Sequence, residues 1–344
     1  DANLSNAIGE FFGSLQQIAA APDDQAPRII SIEKGKDLAG QFNLYSDRID
    51  NLKEKIFDRA DNAVTSVNLL SNQISTINAK LLSSGSGNSS NALLDQRDLL
   101  IDQLSEVCQI SVRYINKGAA QVRLGNTGSG PVIVEPESSV SAGTNQSPST
   151  IPINVIKQGS RLQPVVGSGN VATNQIQGGI IAGLVDAYAL ADDTLKEIDS
   201  LAELLSSKFN EINMSGLNLD GKKGGQMFSV SSLEAVENPT NRSNVGVAVF
   251  VTDPNKIKSD DYNVIYNEKD DLWTLSASTL KNSVTGKETV ETDGFKLSFF
   301  GRPLDGDEFS IVPTSSSKGM NFLLTRPQDI AAAATSLVSS SSSN

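Results

Sequence analysis

The chain has 344 residues, with 28 Lys and Arg against 40 Asp and Glu, a formal net charge of −12, one Cys and no His. Lack of His removes Ser–His–Asp and Cys–His triads, HExxH metalloprotease sites and imidazole-ligated zinc or haem. A lone Cys108 excludes an intrachain disulfide framework and any CxxC motif. So acidic a chain repels phosphate backbones, which argues against nucleic acid, and no apolar run reaches the ~18 residues of a membrane helix. It opens at Asp1 without Met or a signal peptide and reads as a mature fragment.

Leu4, Ile8, Phe11, Leu15 and Ile18 recur at three- and four-residue steps, predicting a helix that stops at Ala21-Pro22-Asp23-Asp24. Asp24 is placed to cap a second helix beginning near Gln25, with Pro27 in its first turn. Gly35 and Gly40 weaken its early part by ~1 kcal/mol each. From Asp37 to Leu82 the apolar series is Leu38, Phe42, Tyr45, Ile49, Leu52, Ile56, Ala60, Ala63, Val67, Leu70, Ile74, Ile77 and Leu81. This is a coiled-coil stripe with one extra four-residue step at Ile56–Ala60, a stutter that locally unwinds a supercoil. At ~1.5 Å per residue the stretch spans about 69 Å. A compact globule of this length is roughly 50 Å across, so a rod with partner helices is expected.

Ser83–Ser90 (SSGSGNSS) makes a turn. Asn91–Cys108 follows as a helix with Leu93, Leu94, Arg97, Leu100, Ile101, Leu104 and Val107 inward. Period-two alternation in Ile110–Tyr114 and Gln121–Leu124, about Asn116-Lys117-Gly118, predicts a hairpin. Glu135–Thr150 reads as a loop and Ile151–Val166 as short strands. A fourth helix carries Ile180, Leu184, Ala187, Ala191, Leu195, Ile198, Ala202, Leu205, Phe209 and Ile212. After Gly216 strands are predicted at Val245–Val251, Tyr262–Tyr266, Leu272–Leu275, Phe295–Phe300 and Phe309–Val312. Turns fall at Asp253-Pro254, Asp270-Asp271, Asp293-Gly294 and Asp305-Gly306, and Asp329–Leu337 returns to helix. The fold class is α+β: an elongated long-helix bundle with coiled-coil-like packing and a β-hairpin excursion, plus a separate small all-β domain. Residues 1–217 with 320–344 form the discontinuous bundle, with its β-rich excursion at about 109–172, and 218–319 the β-rich domain.

None of the motifs that suggest chemistry is complete. Gly125–Gly130 (GNTGSG) resembles a phosphate cradle, but no Lys-Ser or Lys-Thr follows it and its flanks are strands, so it reads as a hairpin loop. Gly178–Gly183 (GGIIAG) opens a helix without matching GxGxxG and reads as close backbone packing. Asn218–Gly221 lacks the first Asp and terminal Glu of a calcium loop. The pairs Asp260-Asp261 and Asp270-Asp271 could supply two carboxylates for glycoside hydrolysis, yet acidic pairs beside strands are ordinarily solvated turns. Cys108 reads as a small buried hydrophobe and Trp273 as core. No catalytic residue, cofactor or metal ligand is assigned. One cluster stands apart: Arg97 sits among apolar positions with Asp95 and Asp98 nearby. Either it forms an exposed ion pair worth little, or it is a polar lock fixing register in the bundle.

Leu93–Glu106 (LLDQRDLLIDQLSE), after a long Asn-rich helix, resembles the flagellar hook-associated protein 1 family, the hook–filament junction proteins of bacterial flagella. Further matches follow in order: Ile176–Gly183, then Asp199–Ala202, Phe209–Asn213 and Gly216–Gly221; Gly301–Ile311 against G-x-P-x-x-G-D-x-F-x-I; and Pro327–Ala333 as the return into the helical domain. Met214 departs from the family, whose members often carry His there. Terminal helical segments that line the filament's inner tube are missing from both ends, implying a truncated, soluble fragment that is monomeric in dilute solution. The resemblance implies a structural, non-enzymatic component exported unfolded through the flagellar type III apparatus and residing outside the cell. It would form a junction layer by lateral packing of axial helices, with the β domain outward. Implied partners are copies of itself, the hook protein, hook-associated protein 3 and an export chaperone bound through the missing C-terminal segment, with neither nucleic acid nor membrane. Alternatives are another axial protein, such as hook-associated protein 3 or a flagellin, or an extracellular coiled-coil adhesin or spacer.

Overall fold

The computed structural model describes residues 3–83, 88–136, 149–230, 233–252, 262–277, 283–292 and 294–334. The chain divides into two compact units, residues 1–48 with 195–344, and residues 49–194. Among the described residues four α-helices carry it: α1 (Leu4–Ala20), α2 (Gln25–Ser83), α3 (Asn88–Val107) and α4 (Gly179–Ser215). Asn3 caps α1 by accepting from the Asn6 N–H at 2.8 Å, and Asp24 caps α2 through the Ala26 N–H at 2.9 Å.

In the unit of residues 49–194, the α2 stripe buries Ile56, Ala60, Val64, Val67, Ile74, Ile77 and Leu81 against Leu100, Ile101 and Leu104 of α3 and Ile181, Leu184, Tyr188 and Ala191 of α4. The double four-residue step makes Leu38 to Ile56 and Ile56 to Ile74 eighteen residues each. Eighteen residues are five turns at 3.6 residues per turn, so these positions recur at the same angle about the helix axis. Its margins depart from expectation. Leu52 is half exposed. At the ends of α4, Ile181 and Asn213 are buried where Ile180 and Ile212 were expected.

Seven strands complete this unit: β1 (Ile110–Tyr114), β2 (Ala120–Leu124), β3 (Val132–Glu135), β4 (Ser149–Thr150), β5 (Ile153–Gln158), β6 (Arg161–Val166) and β7 (Val171–Ala172). They form antiparallel sheets β1-β2-β3-β4 and β5-β6-β7. The β1–β2 turn needs positive φ at Lys117 (56°) and Gly118 (80°), and a Cβ on Gly118 would lie 2.7 Å from Leu94 Cδ2. Of the predicted turn at 83–90, residues 84–87 lie outside the described residues, while Ser83 ends α2 and α3 begins at Asn88, three residues before the expected Asn91; the loop at 135–150 falls largely outside the described residues.

In the other unit, Phe11, Phe209, Phe228 and Phe322 pack edge to face with centroids 4.8–6.0 Å apart. Gly35 also permits a close contact, since a Cβ there would run into the Phe322 ring. After α4 come β8 (Gly216–Leu217), β9 (Phe228–Ser229), β10 (Leu233–Glu237), β11 (Gly246–Val251), β12 (Tyr262–Asn267), β13 (Leu272–Ser276), β14 (Val284–Gly286), β15 (Thr289–Glu291), β16 (Phe295–Phe300), β17 (Glu308–Pro313), β18 (Asn321–Phe322) and β19 (Ala333–Ala334). Sheets β10-β17-β12-β13-β14 and β11-β16-β15 enclose their own core. Trp273 of the first lies flat on Phe299 of the second, centroids 4.1 Å apart.

The helix expected over Asp329–Leu337 is not formed in its described part. Pro327–Asp329 is one 3-10 turn, and Ala333–Ala334 pairs with Gly216–Leu217 as a strand. Four alanines after a turn supply too few bonds to offset helix nucleation, whereas Leu217 O and Asn213 Oδ1 accept from the Ala332 and Ala331 N–H groups.

Candidate functional site

Among the described residues the fragments of catalytic motifs form turns and close backbone contacts. Gly125–Gly130 joins β2 to β3, with positive φ at Gly125 and Gly128. Gly179 opens α4 at φ 83°, where a Cβ would meet Val107 O at 2.7 Å and Cys108 Cα at 2.8 Å, so α3 and α4 touch backbone to backbone. Asn218 Oδ1 accepts from the Asp220 and Lys222 N–H groups in a tight turn after β8. Asp260-Asp261 lies outside the described residues. Asp271 sits in the β12–β13 turn, accepting from Tyr266 Oη at 2.7 Å and pairing with Lys287. Cys108 is buried, and burial pushes its thiol up to about 12. Trp273 is core. Among the described residues no group of three His, Cys, Asp or Glu side chains can hold a metal, and no helix is long and apolar enough to cross a membrane.

Arg97 is buried on the inner side of α3. Its Nη1 donates to Gly118 O at the β1–β2 turn, and its Nε and Nη2 donate to Asp98 Oδ1 at 3.0 and 2.7 Å. The guanidinium also lies 4.4 Å from the centre of the Tyr114 ring. Asp98 is half exposed, and Asp95 is exposed with no ion pair among the described residues. Arg97 and Asp98 are therefore brought together and Asp95 is not. The arginine spans from helix to hairpin turn, satisfying a carbonyl that the left-handed backbone leaves unpaired.

The G-x-P-x-x-G-D-x-F segment builds a second polar joint. Gly301 (φ 100°) and Gly306 (φ 84°) fold the β16–β17 connection, which brings buried Asp307 against the Leu304 N–H (2.8 Å), the Arg242 N–H (3.3 Å) and Ser243 Oγ. Burial opposes the charge of Asp307. The hydrogen bonds from Leu304, Ser243 and Arg242 outweigh it and hold the carboxyl below the usual range.

Sequence reading missed a set of asparagines that imitate strand edges. Asn68 of α2 donates to Ile153 O (2.8 Å) and accepts from Ile153 N–H (2.9 Å). Asn78 does the same with Ala120 at 2.8 and 2.9 Å. Asn210 of α4 accepts from Met227 and Phe228 N–H and donates to Phe228 O. Each amide presents a donor and an acceptor side by side, as a backbone peptide does. The Asn-rich composition was the available clue. Two basic residues were also missed. Buried Arg28 donates to Pro22, Pro327 and Ile330 carbonyls, and Lys53 ties α2 to α4 through Asp192 at 2.6 Å.

With inner faces closed, the helices still carry apolar residues outward. In residues 49–194 these include Leu69 (59% exposed), Leu99 (58%) and Leu190 (69%); in the other unit, Ile29, Leu204 and Ile212. The described residues offer exposed apolar side chains and, among them, no assembled nucleophile, acid or base.

Residues 1–228 match the family model of the flagellar hook-associated protein FlgK helical domain. Flagellar hook-associated protein 1 of Escherichia coli (strain K12) is 25% identical over 341 residues, 96% of this chain and 61% of that protein. Its namesake in Bacillus subtilis (strain 168) is 25% identical over 308 residues, 84% of this chain and 60% of that protein. The chain thus spans about three fifths of the length of the curated relatives it matches. The solved flagellar hook junction protein FlgK from Burkholderia pseudomallei shares the fold, with TM-score 0.61 and 24% identity over 97% of this chain and 61% of that one. Carrying LLDQRD and GxPxxGDxF as the two polar joints of that fold, the chain belongs to the flagellar hook-associated protein FlgK family.

Proposed function

We propose that this chain is part of a structural component of the bacterial flagellum, outside the cell, that forms the junction layer between hook and filament. The observation that carries the reading is a set of large apolar side chains left in solvent. Leu69, Leu99 and Leu190 stay exposed on helices whose inner faces are already packed, which suits lateral contact with further copies in a ring. Hook protein on one side and hook-associated protein 3 on the other are the neighbours in this reading. Export proceeds through the type III apparatus with a chaperone, and no reaction is catalysed. Residues 1–217 with 320–344 serve as the helical domain and 218–319 as the outer β domain, supported by the latter's own core around Trp273. Arg97 with Asp98 is the polar lock that seats the β1–β2 hairpin on α3.

The test is complementation in a strain deleted for its own copy of the gene, using the full-length protein. Wild type restores filaments and swimming, while Leu190→Glu or Leu99→Glu leaves the protein folded and exported but filaments absent. A deletion strain that still builds filaments overturns the junction role.

A further inference from the structure

The β1–β2 hairpin has a face that neither the fold nor the assembly role uses. Side chains alternate along a strand, so Val112, Ala120, Val122 and Leu124 point to the core, and Ser111, Arg113, Gln121 and Arg123 share the other side. Ser111 stands opposite Arg123 and Arg113 opposite Gln121, which makes the two arginines diagonal neighbours with Cβ atoms ~7–8 Å apart. A cavity of about 220 Å³ opens there, lined by these four residues, Val112 and Gly128 of the Gly125–Gly130 loop.

The charges of the pocket are unbalanced. Arg123 donates to Gln121 Oε1 at 3.4 Å and Gly130 O at 3.1 Å, reaching no carboxylate. Among the described residues Arg113 makes no hydrogen bond or ion pair, and the buried Ser111 Oγ has no partner. The nearby Glu135 accepts from Gln121 Nε2 at 2.8 Å, leaving two cations against one anion among the described residues. Burying a hydroxyl unpaired is costly unless something else satisfies it.

We propose that this pocket binds a tetrahedral oxyanion, a phosphate or sulfate group, held by Arg113, Arg123 and the Ser111 hydroxyl. A planar carboxylate is satisfied by the fork of one arginine. Here two guanidiniums from neighbouring strands and a hydroxyl line one pocket, more donors than one planar carboxylate engages. The Gly125–Gly130 loop, whose carbonyl at Gly130 anchors Arg123, forms the pocket wall. Net charge −12 opposes an anion from afar, but at physiological ionic strength that repulsion is screened beyond ~8 Å, so the pocket's own donors decide.

The experiment titrates inorganic phosphate against chloride at constant ionic strength and follows backbone amide resonances by NMR. Saturable shifts confined to residues 111–113 and 121–130 are expected. Arg113→Gln weakens them at least tenfold, and Arg161→Gln, at an exposed site on β6, leaves them unchanged. Arg113 has no structural bond to lose, so its variant stays folded even if Arg123→Gln does not. Absence of saturation, or equal affinity in Arg113→Gln, overturns the proposal. Sedimentation with phosphatidic acid vesicles then separates the sources. Capture that depends on Arg113 identifies a lipid headgroup, and phosphate binding without capture identifies a free oxyanion.

Discussion

Replacing Arg97 with Ala tests the polar lock directly. The largest loss is at Gly118 O, whose guanidinium partner vanishes while Leu94 and the left-handed turn keep the carbonyl from turning away. An acceptor left unpaired costs about 1–3 kcal/mol. The contact over Tyr114 adds ~0.5–1 kcal/mol, the lower range because the ring is largely exposed. The pair with half-exposed Asp98 adds no more than ~1 kcal/mol. Arg97→Ala should therefore cost about 2–3 kcal/mol, and Asp98→Ala less than ~1. With a urea slope of ~2–3 kcal/mol/M, the Arg97→Ala midpoint falls by about 1 M. Amide exchange should accelerate at residues 116–120 before the helices loosen. An unchanged midpoint, or an Asp98→Ala effect as large as that of Arg97→Ala, would refute the reasoning and return Arg97 to an ordinary surface pair.

Asp307→Ala should lose about 2–3 kcal/mol by stranding the Leu304 and Arg242 N–H groups, read as a lowered thermal midpoint. Because the folded carboxyl titrates below its usual value, its stabilisation is complete above that value, near ~4, and is lost as pH falls through the folded pKa. The variant's stability should therefore vary less with pH below ~4 than wild type's, and identical acid profiles would contradict this. Asn78→Ala should cost about 1–3 kcal/mol by orphaning both polar groups of buried Ala120, measured by denaturant unfolding. An effect within ±0.3 kcal/mol would show that water replaces the amide. Cys108, with its thiol pushed up to about 12, should resist maleimide at pH 8 until denaturant is added; rapid labelling of native protein would show the helix end open.

Much of this protein is determined by local sequence. Period and capping residues suffice for four helices, down to Asp24 at the start of α2, because a helix closes its bonds within the segment that forms it. Alternation and turn residues suffice for β11, β12, β13, β16 and β17 around Trp273, but not for β10, β14 and β15, which the sequence reading missed. The position of Arg97 in an apolar register was enough to mark it as anomalous. Its partner was not legible: Asp98 follows it in sequence, but Gly118 O reaches it only once the hairpin folds back. The same holds for Asn68, Asn78 and Asn210, whose amides acquire meaning from strands 17 to 85 residues away. Ala333–Ala334 shows the override most plainly, since an alanine run with helical propensity becomes a strand when Leu217 and Asn213 meet its backbone polar groups. Composition excluded imidazole and paired-thiol chemistry at the outset. Which charges remain unbalanced, as at Arg113 and Arg123, was settled by tertiary structure, because strand register and loop placement together decide whether a buried hydroxyl or a guanidinium meets a partner.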